Sequence, residues 1–259
     1  MEQVITSTKN PRIKHLLSLQ QKSSERRRAG LFLVEGQREL EHCLEAGFEV
    51  AELYVCPEFL SSDFQYSAFN TQFVNPAVYE RIAYRGTTEG VVAIVRARHL
   101  QLADLQLPAN PLIVVLESVE KPGNLGAILR SADAAGADAV IVCDPLTDLY
   151  NPNLIRASIG AVFTVPTVAC SSSECITFLQ AHGIQILTAQ LQDSHPYYDT
   201  DMRRPTAIVM GTESTGLTDQ WRKAATAHIR IPMLGRLDSL NVSVSSAILL
   251  YEAVRQREG

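Results

Sequence analysis

Three stretches of unbroken apolar sequence constrain this chain more than any other feature: LIVVLE (112–117), AVIV (139–142) and TAIVM (206–210). A strand with one face in water alternates apolar and polar residues, whereas a strand covered on both faces does not. Helical patterns separate these runs. GNLGAILRSADAAG (123–136) closes at Gly136, NPNLIRASIG (151–160) opens on a capping Asn151, and SSECITFLQAHG (172–183) follows. Further strands are expected near VFTVPTV (162–168) and over IQILTAQ (184–190) and AHIRIP (227–232), before a helix over NVSVSSAILLYEAVRQR (241–257). The alternation predicts an α/β domain built on a parallel sheet with helices on both faces.

The first hundred residues repeat the theme in shorter units. PRIKHLLSLQQKSSERRR (11–28) sets Ile13, Leu16, Leu17 and Gln20 along one helical face. Then come strand LFLVE, a helix over RELEHCLEAG closed by Gly47, strand ELYVC (52–56), a helix near 76–83 and strand VVAIVRA (91–97). LQLADLQLPANP (100–111), with two prolines between periodic blocks, reads as a linker. The expected organisation is a small α/β domain over 1–100, a linker over 101–111 and a larger α/β domain over 112–259.

Composition limits the function classes. Hydrophobic residues make up 46% and charged residues 20%, the balance of a globular chain with a sizeable core. The apolar runs are too short to span a bilayer, and the polar start MEQVITSTKN lacks a secretory signal pattern, so a cytoplasmic protein without membrane association is expected. Cys43, Cys56, Cys143, Cys170 and Cys175 show neither zinc-finger nor CxxC spacing, and the six histidines are spread out. Packed thiols and no metal are expected. The net charge of −5 speaks against nucleic acid, but its distribution does not. Lys9, Arg12, Lys14, Lys22, Arg26, Arg27 and Arg28 face only Glu2 and Glu25 within the first thirty residues, a basic segment able to hold a phosphate backbone or simply to form a solvated helix face.

In open α/β sheets ligands bind beyond the carboxyl ends of strands, and three segments with unusual residue choices stand there. After 112–117, Gly123 and Gly126 allow close backbone approach, Asn124 sits near a helix N-terminus, and Arg130 follows not quite two turns on, expected on the same side of the helix. After TAIVM come Gly211, Glu213, Gly216 and Thr218, the last a plausible helix cap. After AHIRIP a loop through Gly235 runs to Asp238, Ser239, Leu240 and Asn241. Capping the final helix needs only one of Ser239 and Asn241, so the second invites a ligand.

Taken together these segments resemble the three ordered motifs of the SpoU/TrmH family of SPOUT RNA methyltransferases: NLGAILR (124–130), GTESTG (211–216) and IPMLGRLDSLNVSVS (231–245). The resemblance spans 112–257. KNPRIK (9–14) and LFLVEGQRELEHCLEAG (31–47) are similar to the L30e-like substrate-binding domain that precedes this catalytic domain in the family. The resemblance implies a C-terminal trefoil knot, a homodimer with a composite active site, and transfer of a methyl group from S-adenosylmethionine to a ribose 2′-hydroxyl, in ribosomal RNA rather than transfer RNA. By motif, Gly211, Gly216, Ile231, Met233 and Leu240 would hold the cofactor. Asn124, Arg130, Glu213, Ser239 and Asn241 would line the reacting end, and Lys9, Arg12, Lys14, Arg26, Arg27 and Arg28 would contact RNA. Ser214 stands where the family often has glycine. Two other readings compete: a dinucleotide-binding dehydrogenase, for which the GNLG spacing lacks a full GxGxxG, and an RNA-binding homologue without activity.

Overall fold

The computed structural model describes residues 4–60, 64–83, 89–212 and 215–258. In chain order the elements are α1 (Pro11–Gln21), α2 (Ser23–Ala29), β1 (Leu31–Glu35), α3 (Gln37–Glu45), β2 (Val50–Val55), β3 (Thr71–Phe73), α4 (Pro76–Ile82), β4 (Val91–Arg96), β5 (Leu112–Glu117), α5 (Pro122–Ala134) and β6 (Ala139–Cys143). They continue with α6 (Pro152–Ser158), α7 (Ala161–Thr164), β7 (Thr167–Cys170), α8 (Ser172–Ala181), β8 (Gln185–Ala189), β9 (His195–Pro196), β10 (Thr206–Met210), α9 (Asp219–Ala224), β11 (Ala227–Arg230) and α10 (Val242–Glu258).

The chain divides into two compact units, residues 1–98 with 148–164, and residues 99–147 with 165–259. The sequence reading placed boundaries at 100 and 111. It gave no reason to assign 148–164 to the first unit, because what holds that segment there is packing rather than local pattern. Tyr150 stacks on Phe32 with ring centroids 4.2 Å apart, and Phe163 lies edge-on to Phe48 at 5.3 Å. Arg26, buried, donates from Nε to Asp148 Oδ2 at 2.6 Å and from Nη1 to the Leu19 carbonyl at 2.6 Å.

The first unit carries a four-stranded sheet of order β1-β4-β2-β3, in which β4 runs antiparallel to both neighbours and β3 parallel to β2. Asn10 opens α1 by accepting from the Arg12 amide, and Pro11 at the first helical position lacks the amide hydrogen that would otherwise be orphaned there. The buried stripe of α1 is Ile13, Leu16 and Leu19. Leu17 and Gln20, expected on that face, are only half-buried, and Gln20 donates to the Ile82 carbonyl instead.

In the second unit seven strands pair in the order β7-β6-β5-β10-β8-β11-β9, every pairing parallel. Every residue of β5, β6 and β10 is buried, as their unbroken apolar composition requires. Residues 162–164, read as part of a strand, are helical. The extended run starts after Pro166, at Thr167, because proline disfavours the helical region at the residue before it. The chain steps outward from β5 through β6 to β7, then returns on the other side of β5. The order therefore reverses between β5 and β10, the switch point at which open α/β sheets bind ligands. Arg257 ties the end of α10 back to the sheet, donating to the carbonyls of Met202, Asn110, Pro111 and Arg204 at 3.0–3.1 Å.

Candidate active site

Beyond the carboxyl ends of the strands lie two cavities. The first, about 120 Å³, opens at the switch point between Val119, Lys121 and Asn124 after β5, Gly211 and Thr212 after β10, and Val242 at the start of α10. The second, about 140 Å³, opens beyond β8 and β11, with Ile229, Ile231, Met233 and Leu240 as apolar wall and Asp238 and Ser239 as polar groups.

The first cavity is bounded by an asparagine pair. Asn241 Nδ2 donates to Asn124 Oδ1 at 3.2 Å, joining the first turn of α5 to the entrance of α10. Asn241 Oδ1 meanwhile accepts from the Ser243 amide at 2.9 Å, so Asn241 is the helix cap. Ser239 does not cap; its hydroxyl lies 3.3 Å from Asp238 Oδ1 and the residue lines the second cavity. The two candidates for one cap are thus separated, leaving Ser239 for another purpose.

Gly211 and Gly216 owe their identity to the backbone. A Cβ on Gly211 would lie 2.3 Å from the Gly216 carbonyl carbon and oxygen, closer than any carbon can stand. Gly216 takes φ +67°, a region that side chains disfavour, and donates its amide to the Thr212 carbonyl at 3.1 Å. This tight turn holds Gly211 and Thr212 against the cavity. Glu213 and Ser214 lie outside the described residues. Gly216 is accounted for by the turn itself.

Arg130 is exposed, and six residues at about 100° each set it some 120° around α5 from half-buried Asn124. The expectation that the two share one side of the helix is thereby corrected. Ile231, Met233 and Leu240 come together in the second cavity, separate from Gly211 in the first.

One polar group escaped sequence reading. Glu117, buried at the end of β5, accepts from the Thr218 amide at 2.8 Å and the Thr218 hydroxyl at 2.6 Å. Ser172 Oγ donates to Asp144 Oδ2 at 2.6 Å and receives the Trp221 indole N–H at 3.0 Å. Glu117 thus anchors the start of α9 and the far end of the 211–216 turn. The available signal was a carboxylate closing an otherwise wholly apolar strand.

In the first unit Lys9, Arg12, Lys14, Arg27 and Arg28 are exposed, Arg28 being paired with Glu25 at 2.6 Å. Arg12, His15 and Arg96 border an open cleft of about 440 Å³. Arg26 differs from its neighbours: its guanidinium is consumed by Asp148 and two backbone carbonyls, which leaves it unavailable to a phosphate.

A parallel sheet with cavities at its switch point and at the loop before its last helix, in a chain that also carries a smaller α/β unit, has the architecture of a ligand-binding α/β protein. The chain belongs to the SpoU rRNA methylase family, whose model matches residues 111–251; the MRM3-like substrate-binding domain matches residues 10–93. It is 30% identical to the 23S rRNA (uridine(2479)-2′-O)-methyltransferase of Streptomyces viridochromogenes, over 97% of this chain and 92% of that one. The crystal structure of an RNA 2′-O ribose methyltransferase superposes with TM-score 0.88 at 42% identity, covering 99% of this chain and 100% of the other. An AdoMet-bound rRNA methyltransferase from Sinorhizobium meliloti gives TM-score 0.89 at 32% identity, over 98% and 97% of the two chains.

Proposed function

We propose that this enzyme transfers the methyl group of S-adenosylmethionine to a ribose 2′-hydroxyl in ribosomal RNA. The observation that carries the reading is the Asn124–Asn241 pair beside Gly211 and Thr212, which joins the first and third motif segments at the switch point. Ribosomal rather than transfer RNA is favoured because relatives matching nearly the whole chain are 23S rRNA methyltransferases. The dehydrogenase reading has no place for the loop over 231–241.

The second cavity offers a place for the base of the cofactor: an apolar wall for a purine, beside Asp238 and Ser239 for sugar hydroxyls. Ile231, Met233 and Leu240 would hold it there, and Gly211 would extend the site toward the switch point. A bound cofactor would supply a sulfonium-borne methyl group, its sulfur keeping the electron pair of the broken bond as a neutral thioether, and the proton of the accepting hydroxyl would pass to solvent water. Catalysis by the protein is then chiefly positioning. Asn124 and Asn241 orient the ribose, and Ser239 belongs to the polar side of the second cavity. Arg130 stays protonated, since a guanidinium has a pKa above ~12. It fixes the neighbouring phosphate and stabilises the developing alkoxide rather than removing the proton.

Exposed Arg130 does not face the Asn124 side of its own helix. Arg130 therefore serves the partner's site in a homodimer; the family's C-terminal knot and a cytoplasmic location belong to the same reading. It assigns no metal to this chemistry. Lys9, Arg12, Lys14, Arg27 and Arg28 contribute phosphate contacts from the first unit.

Single-turnover transfer of labelled methyl to ribosomal RNA tests the assignment. Arg130→Lys should slow the step at least ~10-fold, because an ammonium lacks the planar fork. Transfer at the wild-type rate by that variant sinks the role given to Arg130, and labelled methyl appearing on a base rather than a 2′-oxygen sinks the reaction.

A further inference from the structure

Five cysteines scattered through the sequence give no metal-ligand spacing, yet the fold collects three of them. Cys143 closes β6, Cys170 closes β7, and the two are register partners on adjacent parallel strands. Cys175 lies in the second turn of α8, which packs on that face of the sheet. The three sulfurs stand within 4.8 Å of one another. Cys143 and Cys175 are fully buried, while Cys170 is half-buried and gives a route from solvent.

We propose that Cys143, Cys170 and Cys175 form a binding site for a soft, thiophilic monovalent cation of the copper(I) type. Softness of the donors decides the class. Three sulfurs, with no histidine or carboxylate in the group, favour copper(I) over harder divalent ions. Zinc takes four ligands in structural sites, and among the described residues this group offers three. Geometry is close to ready. With a metal–sulfur bond of ~2.3 Å, trigonal sulfurs stand ~4.0 Å apart, so the sulfurs need to close by less than ~1 Å. Coordination converts thiols to thiolates, and each S–H proton released goes to solvent with no change of oxidation state. The N-terminus of α8, beginning directly after Cys170 and Ser171, offsets part of the negative charge that collects there.

The site is distinct from the two cavities of the methyltransferase reaction. Cys170 and Ser171 lead directly into Ser172, whose hydroxyl links Asp144 and Trp221, so an ion here would pin the start of α8 to β6 and β7.

The test uses the reduced full-length protein under nitrogen, titrated with a copper(I)–acetonitrile salt in competition with bicinchoninate. One ion per chain, with an all-sulfur X-ray absorption shell, is expected. At a hundredfold excess over Kd the thermal midpoint should rise by roughly 5–10 °C. Cys170→Ser, chosen because its side chain is half-exposed and so least prone to disturb folding, should weaken binding at least ~100-fold, more than loss of an outer hydrogen-bond partner costs. Cys175→Ala should do the same, and Cys43→Ala, in the other unit, should leave binding unchanged. No uptake against bicinchoninate, an unchanged midpoint, or equal uptake by Cys170→Ser and wild type would each overturn the proposal.

Discussion

Two regions of this molecule announce themselves by unusual residues, and they turn out differently. The glycine and asparagine positions around the switch point are fixed by geometry: Gly211 has no room for a Cβ, and Asn241 both caps α10 and meets Asn124. The basic segment over α1 and α2 is mostly loose surface, except that Arg26 has been drawn inward as a structural clamp on Asp148. Composition alone does not separate a charge that recognises a ligand from one that holds the fold. The partners do.

The contrast is open to direct attack. Arg26→Ala should destabilise the protein by ~3–5 kcal/mol, because Asp148 is left nearly buried without its partner, and urea unfolding measures it. A change under ~1 kcal/mol would return Arg26 to the surface group. Gly211→Ala comes next. The added carbon meets the Gly216 backbone, so the turn must move by about 1 Å, and methyl transfer should fall ~100-fold in a single-turnover assay. Thr218→Val removes one donor from buried Glu117 and should cost about 1–3 kcal/mol in the same unfolding experiment. The smallest effects belong to Lys14→Ala and Arg27→Ala. Each should leave stability within ~0.5 kcal/mol and lower the salt slope of RNA binding by about 0.7–0.9 per lost phosphate contact, read from affinities at several salt concentrations. If either variant unfolds early, the loose-surface description of that region fails.

Much of the second unit could be read in advance. Unbroken apolar runs require strands buried on both faces, and LIVVLE, AVIV and TAIVM are β5, most of β6 and β10. The chain reversal after Gly136 is likewise a local signal, as is the cap at Asn151 in the first unit. Harder to read was anything that depends on rotation about a helix or on distant partners. Arg130 was expected beside Asn124 and stands about a third of a turn away, and residues 162–164 looked extended until Pro166 is given its full effect on the chain before it.

The sequence by itself determined which strands are buried on both faces and which three glycine-bearing segments follow strand ends, because each follows from periodicity and short-range sterics. Only the tertiary structure decided which polar side chains meet. The pairing of Asn124 with Asn241, the capture of Thr218 by Glu117, the burial of Arg26 against Asp148 and the gathering of three thiols all join residues far apart in the chain. Such contacts leave no periodic trace. They arise where sheet order and helix packing bring strand ends together, and a buried polar group must find its partner there or bear the cost of desolvation.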